Sequence, residues 1–353
     1  MAKRGQRPED GPTENLSVGD LIDGPTEVIS AADLAAVRAA ASEHDVSLEA
    51  THDLSAYATE DLSAHAAPAG RARVELDRMP AQGALYRRAL RDALPVIGRS
   101  ARPDAPPQVE LAVAGITVDR AHLADYDRVC GFRLADRLPA TYPHIMGFPL
   151  SLRLMTTPEF PIALTGVVHV GNRITVHRPL DAGEALDFTT HAENLRPHER
   201  GRQIDVVLVG SVGGEEVWRG VSTYLGKERT PGGGDRRDRG ERPAPPAATA
   251  HWRVSPRVGT DYARVSGDHN PIHTSRLGAR LLGFPRPIAH GMWSKARCLA
   301  ALESRLPEAY TVDVSFKLPV PLPTTVAFSA TPAWDFALHD ARSGRPHLVG
   351  TVR

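Results

Sequence analysis

Residues 262–273 read Tyr-Ala-Arg-Val-Ser-Gly-Asp-His-Asn-Pro-Ile-His, which crowds a carboxylate, an amide and an imidazole around one proline. Asp268 and His273 are five positions apart, which on a helix would leave them about 140° apart around the axis. A helix therefore cannot aim both at one point. Pro271 lacks an amide donor and biases Asn270 away from helical angles, so the segment is expected to turn and bring acid and imidazole together. Downstream, Ala289-His290-Gly291-Met292 opens an apolar-periodic run through Trp293, Ala296, Leu299 and Ala300. That run predicts a helix whose first amides lack intrahelical partners, an N-terminus able to polarise a carbonyl.

The pattern resembles the hydratase 2 signature of the MaoC-like family, the R-specific enoyl-CoA hydratases and 3-hydroxyacyl dehydratases. That signature has an aromatic three residues before a small apolar residue, then Ser-Gly-Asp-x-Asn-Pro-(Ile/Leu/Val)-His, met here by Tyr262, Val265 and Ser266 through His273. The family's His-Gly pair at the start of the central helix has its counterpart in His290 and Gly291. The resemblance covers about residues 80–353. It implies an α+β double hot dog fold, two repeats in which a long central helix is wrapped by an antiparallel β-sheet. It also implies reversible hydration of trans-2-enoyl thioesters to (R)-3-hydroxyacyl thioesters, with water added to one face of the alkene, in fatty-acid or related acyl metabolism.

Adding water across that double bond requires a base for the water, an acid for the alpha carbon, and donors for the thioester oxygen as enolate character develops. Asp268 and His273 are the candidate catalytic pair, able to hold one water between them. Asn270 orients the water or the turn, and the Gly291 amide is the candidate oxyanion donor, its missing Cβ admitting the thioester. An Asp-x-Asn-Pro alone would read as an Asx turn that only shapes a loop; Ser-Gly before it and His273 after it favour chemistry. Two readings of His290 stay open, a core histidine or a support behind the site. His269 occupies the variable position and is expected at the surface. Three ligands on one turn, without further carboxylates or cysteines at motif spacing, argue against a metal. No redox cofactor is expected, the substrate being carried on CoA or a phosphopantetheine arm. Ser275 and Ser294 lack a nucleophile-elbow setting.

Four units are expected. Residues 1–79 are rich in Ala, Asp, Glu, Ser and Pro and read as a mobile extension with one helix after Ser30. Residues 80–227 form a first repeat: a short helix through Tyr86, Leu90 and Leu94, a Pro-rich break at 102–107 where order begins, a strand at 109–118, a helix at 121–130, a central helix near Tyr142, then a meander with a Gly213-Gly214 turn. Residues 228–250 read as a linker, and 251–353 as the second repeat, which carries the signature. The first repeat has no Gly-Asp-x-Asn-Pro-x-His; its Tyr142-Pro-His-Ile-Met-Gly sits where the second has Pro287-Ile-Ala-His-Gly-Met. It is therefore expected to bind rather than catalyse, with Ile145, Met146 and Leu150 lining an acyl tunnel and His144 in a packing role.

Lys+Arg and Asp+Glu both number 42 in the 353 residues, so no net field recruits nucleic acid or an anionic membrane. No run approaches the roughly 20 apolar residues of a membrane span. Two cysteines, Cys130 and Cys298, give no disulfide framework, and a cytoplasmic protein is expected. The expected partners are an acyl-CoA or acyl-carrier-protein thioester and, through the sheets, a second copy in a homodimer. The rivals are a dehydratase of carrier-bound fatty-acid or polyketide intermediates, a thioesterase, against which the intact signature argues, and a non-catalytic thioester-binding subunit.

Overall fold

The computed structural model describes residues 70–83, 85, 102–164, 167–227 and 245–353. The helix after Ser30, the one through Tyr86, Leu90 and Leu94, the mobility expected of residues 1–69 and the linker up to 244 lie outside the described residues.

The elements run β1 (Ala72–Leu76), β2 (Val109–Ile116), α1 (Arg120–Cys130), α2 (Tyr142–Met155), β3 (Val168–Val176), β4 (Leu186–His198), β5 (Gly201–Val212) and β6 (Glu215–Lys227), then β7 (Ala250–Val254), α3 (Val258–Ser266), α4 (Pro271–Thr274), α5 (Arg276–Leu281), α6 (Gly291–Leu302), β8 (Tyr310–Phe316), β9 (Thr324–Ala330), β10 (Asp335–Asp340) and β11 (Pro346–Val352). All strands join one sheet in the order β1-β2-β4-β5-β6-β3-β8-β11-β10-β9-β7. Leaving β1 aside, each half reads first, third, fourth, fifth, second strand, and the two second strands meet. The seam pairs β3 with β8 antiparallel from Gly171↔Ser315 to Val176↔Tyr310. An antiparallel pairing of equivalent strands is what a local twofold axis requires, so the chain is a tandem α+β repeat, the double hot dog.

The strands form where branched apolar residues alternate with polar ones. In β3 the side chains of Val170, Asn172, Ile174 and Val176 are buried and those between them half-buried. Gly213 (φ 59°) and Gly214 (φ 84°) supply the left-handed pair that a tight hairpin between β5 and β6 demands. On the concave face α2 lies on β4 and β5. A Cβ on Gly147 would come within 2.6 Å of Leu208 Cδ2, so only glycine lets this helix settle so close. α6 lies over the seam: its fully buried Lys295 donates to the Asn172 carbonyl on β3 (2.9 Å), to Asn172 Oδ1 (2.6 Å) and to the Val312 carbonyl on β8 (3.3 Å).

One boundary and the register of the two repeats differ from expectation. Residues 72–76, placed in the mobile extension, form β1 and pair parallel with β2, Ala72↔Val109 through Leu76↔Val113. Order thus begins before the Pro-rich break. The sequence does not show this strand because its pattern is mostly exposed and its stability comes from pairing with β2. The register of the repeats differs too. Tyr142 and Gly291 both open their central helices, behind the caps Thr141 and His290, so Tyr142 corresponds to Gly291 rather than to Pro287. Among the described residues no helix is long and apolar enough to cross a membrane.

Candidate active site

The signature segment is a helix, a kink and a second helix. α3, unforeseen from the sequence, ends at Gly267 in the left-handed region (φ 71°), a conformation that frees the chain to leave the helix axis. Asn270 then caps α4, its side-chain oxygen accepting from the Ile272 amide at 3.3 Å with Pro271 in the first turn. The expected turn is therefore a left-handed helix end followed by one helical turn. Of the two roles held open for Asn270, shaping the backbone is the one its carbonyl performs. Gly259 lets α3 lie against this turn: a Cβ there would fall 2.0 Å from the His273 carbonyl oxygen.

The side-chain donor atoms of Asp268, His273 and His290 lie within 4.8 Å of one another. Asp268 is half-buried; its Oδ1 accepts from the Asn270 amide at 3.2 Å. His273 Nδ1 donates to the Ile288 carbonyl at 2.8 Å, which leaves Nε2 as the ring's lone pair. Burial lowers its pKa below 6.5, and the charge of Asp268 opposes the shift. His290 is 3% exposed, stacks on His273 with centroids 3.7 Å apart, and donates through Nε2 to the Asp268 carbonyl oxygen at 2.9 Å. Burial and the neighbouring His273 push its pKa down to about 3, so it is a neutral spacer behind the pair. His290 is thus both buried and in the site, closing the question its sequence position left open. His269 is exposed, as expected.

His290 also occupies the N-cap of α6 without a side-chain capping bond, which leaves the first amides of the helix, Gly291 among them, without a side-chain acceptor. A Cβ on Gly291 would meet the Phe316 ring at 3.2 Å. The space gained by the missing side chain is taken by Phe316, not left open for a thioester. Ser275 caps α5 and Ser294 bonds the His290 carbonyl, neither set up as a nucleophile.

Each imidazole spends one nitrogen on a carbonyl. A metal would therefore have to bind His273 through Nε2 and His290 through Nδ1, the latter buried without a partner.

In the first repeat, α1 ends at Gly131 (φ 83°) as α3 ends at Gly267, and Tyr126 and Tyr262, at equal distance before those glycines, pack with centroids 6.2 Å apart. The chain then leads straight to α2, without counterparts of α4 and α5, so the acid and imidazole have no equivalents. Ile145 and Leu150 are buried in the apolar core, and Met146 is partly exposed beside it. His144 packs against Phe148 and His169, with ring centroids 5.9 and 6.5 Å away. Burial lowers its pKa to about 4, and the charge of Asp268 reaches it. Sequence reasoning passed over His169 and Tyr224, which lie in the same electrostatic neighbourhood; on strands that already alternate apolar with polar residues, nothing in the linear pattern singles them out.

Residues 242–333 match the family model described as MaoC like domain. The chain is 39% identical over 270 residues to 3-hydroxyacyl-thioester dehydratase X of Mycobacterium tuberculosis, covering 75% of this chain and 95% of that one. It is 27% identical over 168 residues to the enoyl-CoA hydratase ChsH3 of the same organism, 45% of this chain and 58% of the other. The crystal structure of HtdX of M. tuberculosis superposes with a TM-score of 0.62 at 38% identity, covering 69% of this chain and 99% of that one. A MaoC-like dehydratase from Phytophthora capsici, 18% identical, shares the fold with a TM-score of 0.55 over 69% of this chain and 94% of its own. With a relative of this similarity matched over nearly its whole length, and the signature folded into one acid–imidazole cluster, the chain belongs to the MaoC-like family of 3-hydroxyacyl-thioester dehydratases.

Proposed function

We propose that the protein catalyses the reversible hydration of trans-2-enoyl thioesters to (R)-3-hydroxyacyl thioesters. The observation that carries this reading is the Asp268–His273 pair, with donor atoms within 4.8 Å and His273 Nε2 left unprotonated by the Ile288 bond. Two hydrogen bonds of about 2.8 Å each let a single water bridge such a gap.

Nε2 takes a proton from that water while the Asp268 carboxylate holds its second hydrogen. The oxygen adds to C3, and the electron pair of the double bond moves toward C2 and the thioester oxygen. The Gly291 amide, at the positive end of α6, stabilises that oxygen. The proton on Nε2 then passes to C2, so hydroxyl and hydrogen arrive on the same face. Dehydration is the reverse. The reaction moves protons without net oxidation, and the reading requires neither metal nor redox cofactor.

The acyl group arrives on CoA or on a carrier protein, and a cytoplasmic setting suits the two buried free cysteines. A homodimer is kept as the expected assembly. The test is the loss of enoyl-thioester absorbance over a panel of acyl lengths on both CoA and carrier protein. Turnover on carrier protein alone makes the protein a dehydratase of carrier-bound intermediates. Binding without turnover on every thioester makes it a non-catalytic subunit and ends this reading.

A further inference from the structure

The interior beside the site is more polar than a hydrocarbon tail requires. His169 of β3 sits behind Phe316, the ring that fills the space beside Gly291, with centroids 5.0 Å apart. It stacks on Tyr224 of β6 at 4.7 Å and faces His144 of α2 at 6.5 Å. The charge of Asp268 reaches all three of these first-repeat side chains, although none belongs to the signature segment. Burial, reinforced by His144 and Lys295, lowers the His169 pKa to about 3, so the ring is neutral. One of its nitrogens donates to the Gly171 carbonyl. The other, Nε2, is then a lone pair, and it is buried without a hydrogen-bond partner. A neutral imidazole in this tautomer can only accept at Nε2, and a buried acceptor with no donor is unfavourable.

We propose that His169 is a specificity residue whose Nε2 accepts a hydrogen bond from a hydroxyl group on the acyl chain, beyond the carbons that react. The inference rests on the hydration reading above, which places the thioester carbonyl at Gly291. Phe316 is the ring next to Gly291, and His169, Tyr224 and His144 stand behind it, so they are the polar groups a chain entering there would meet. The pantetheine arm leaves on the open side, where Asp268 is partly exposed, away from His169 Nε2, an atom buried from solvent. An unsubstituted tail brings no donor and leaves Nε2 unsatisfied.

The experiment uses the purified full chain and a series of 2-enoyl-CoAs with a hydroxyl walked along the acyl chain, each beside its unsubstituted parent. kcat/KM is measured for the wild type, His169→Phe, which keeps a ring without the acceptor, and His169→Gln, which keeps an acceptor. At one hydroxyl position the wild type should favour the hydroxylated substrate by about tenfold, the scale of one hydrogen bond. His169→Phe should abolish or reverse that ratio while acting on the parent within about threefold of wild type, and His169→Gln should retain part of it. No preference in the wild type at any position overturns the proposal whether or not the variants fold, as does a preference unchanged in the variants. Turnover of the unsubstituted parents reports on the hydration reading separately: its absence ends both, while parents that turn over without a hydroxyl preference end only this one.

Discussion

His273 and His290 stack with ring centroids 3.7 Å apart, and the two rings anchor to different carbonyls, Ile288 for the first and Asp268 for the second. One hydrogen bond sets the tautomer of the His273 imidazole, and the other ties the Asp268 backbone to the cap of α6. Asp268, His273 and the Gly291 amide are thereby locked to one helix start, which keeps the Asp268 segment in register with an amide more than twenty residues away.

Asp268→Asn and His273→Ala should each lower kcat by about 100-fold or more, since positioned proton transfer contributes roughly 10² to 10⁴. Circular dichroism and thermal melts should remain close to wild type. Purified variants that keep near-normal turnover remove both residues from the mechanism.

Gly291→Ala should reduce turnover by about tenfold or more, because the added Cβ meets Phe316 at 3.2 Å and displaces the start of α6 from the substrate. Phe316→Leu in the same chain should restore part of the loss. If the double variant is no better than the single one, the defect lies elsewhere than in this contact.

Acid should destabilise the fold through its buried histidines. His144 and His290 have folded-state pKa values lowered from 6.5 to about 4 and about 3, so the unfolded chain binds their protons first as pH falls. Their contribution is whole above pH 6.5 and is lost progressively toward pH 4 to 3. The melting temperature should be flat above that window and fall within it, and His144→Leu should make the fall shallower. A melting temperature independent of pH from 6.5 to 4 contradicts this assignment.

Protonation of His273 should be visible by NMR as an imidazole titration below 6.5, the direction set by burial. Because the carboxylate of Asp268 works against that shift, Asp268→Asn should move the titration lower still. A midpoint that rises in Asp268→Asn means the carboxylate does not face the ring.

Truncation through residue 79 should lower the melting temperature by several degrees, since it removes β1, its parallel pairing with β2 and the Arg71–Glu193 ion pair. A truncation ending at residue 69 keeps these contacts. Equal melts for the two truncations would show that β1 adds nothing to the fold.

The starts of the two central helices and the meanders were legible because they are local. The Gly213-Gly214 hairpin, the opening of α6 at Gly291 and the helix at 121–130 fall where periodicity and turn residues put them. The left-handed end at Gly267 and the short helix behind Pro271 were readable only as a turn, because periodicity says nothing over so few residues.

The sequence by itself placed a carboxylate and an imidazole around one proline and set out the double-repeat plan, since both are written in spacing: the signature in one half, a central helix and meander in each. Tertiary structure alone decided which residues far apart in the chain share the site. β1 is a strand because β2 offers it an edge. His290 touches His273 because α6 begins beside α4. His169, Tyr224 and His144 reach the surroundings of Asp268 because β3 and β8 pair along the seam. These relationships depend on burial and on partners from 17 to about 140 residues away in the chain, which no local pattern encodes.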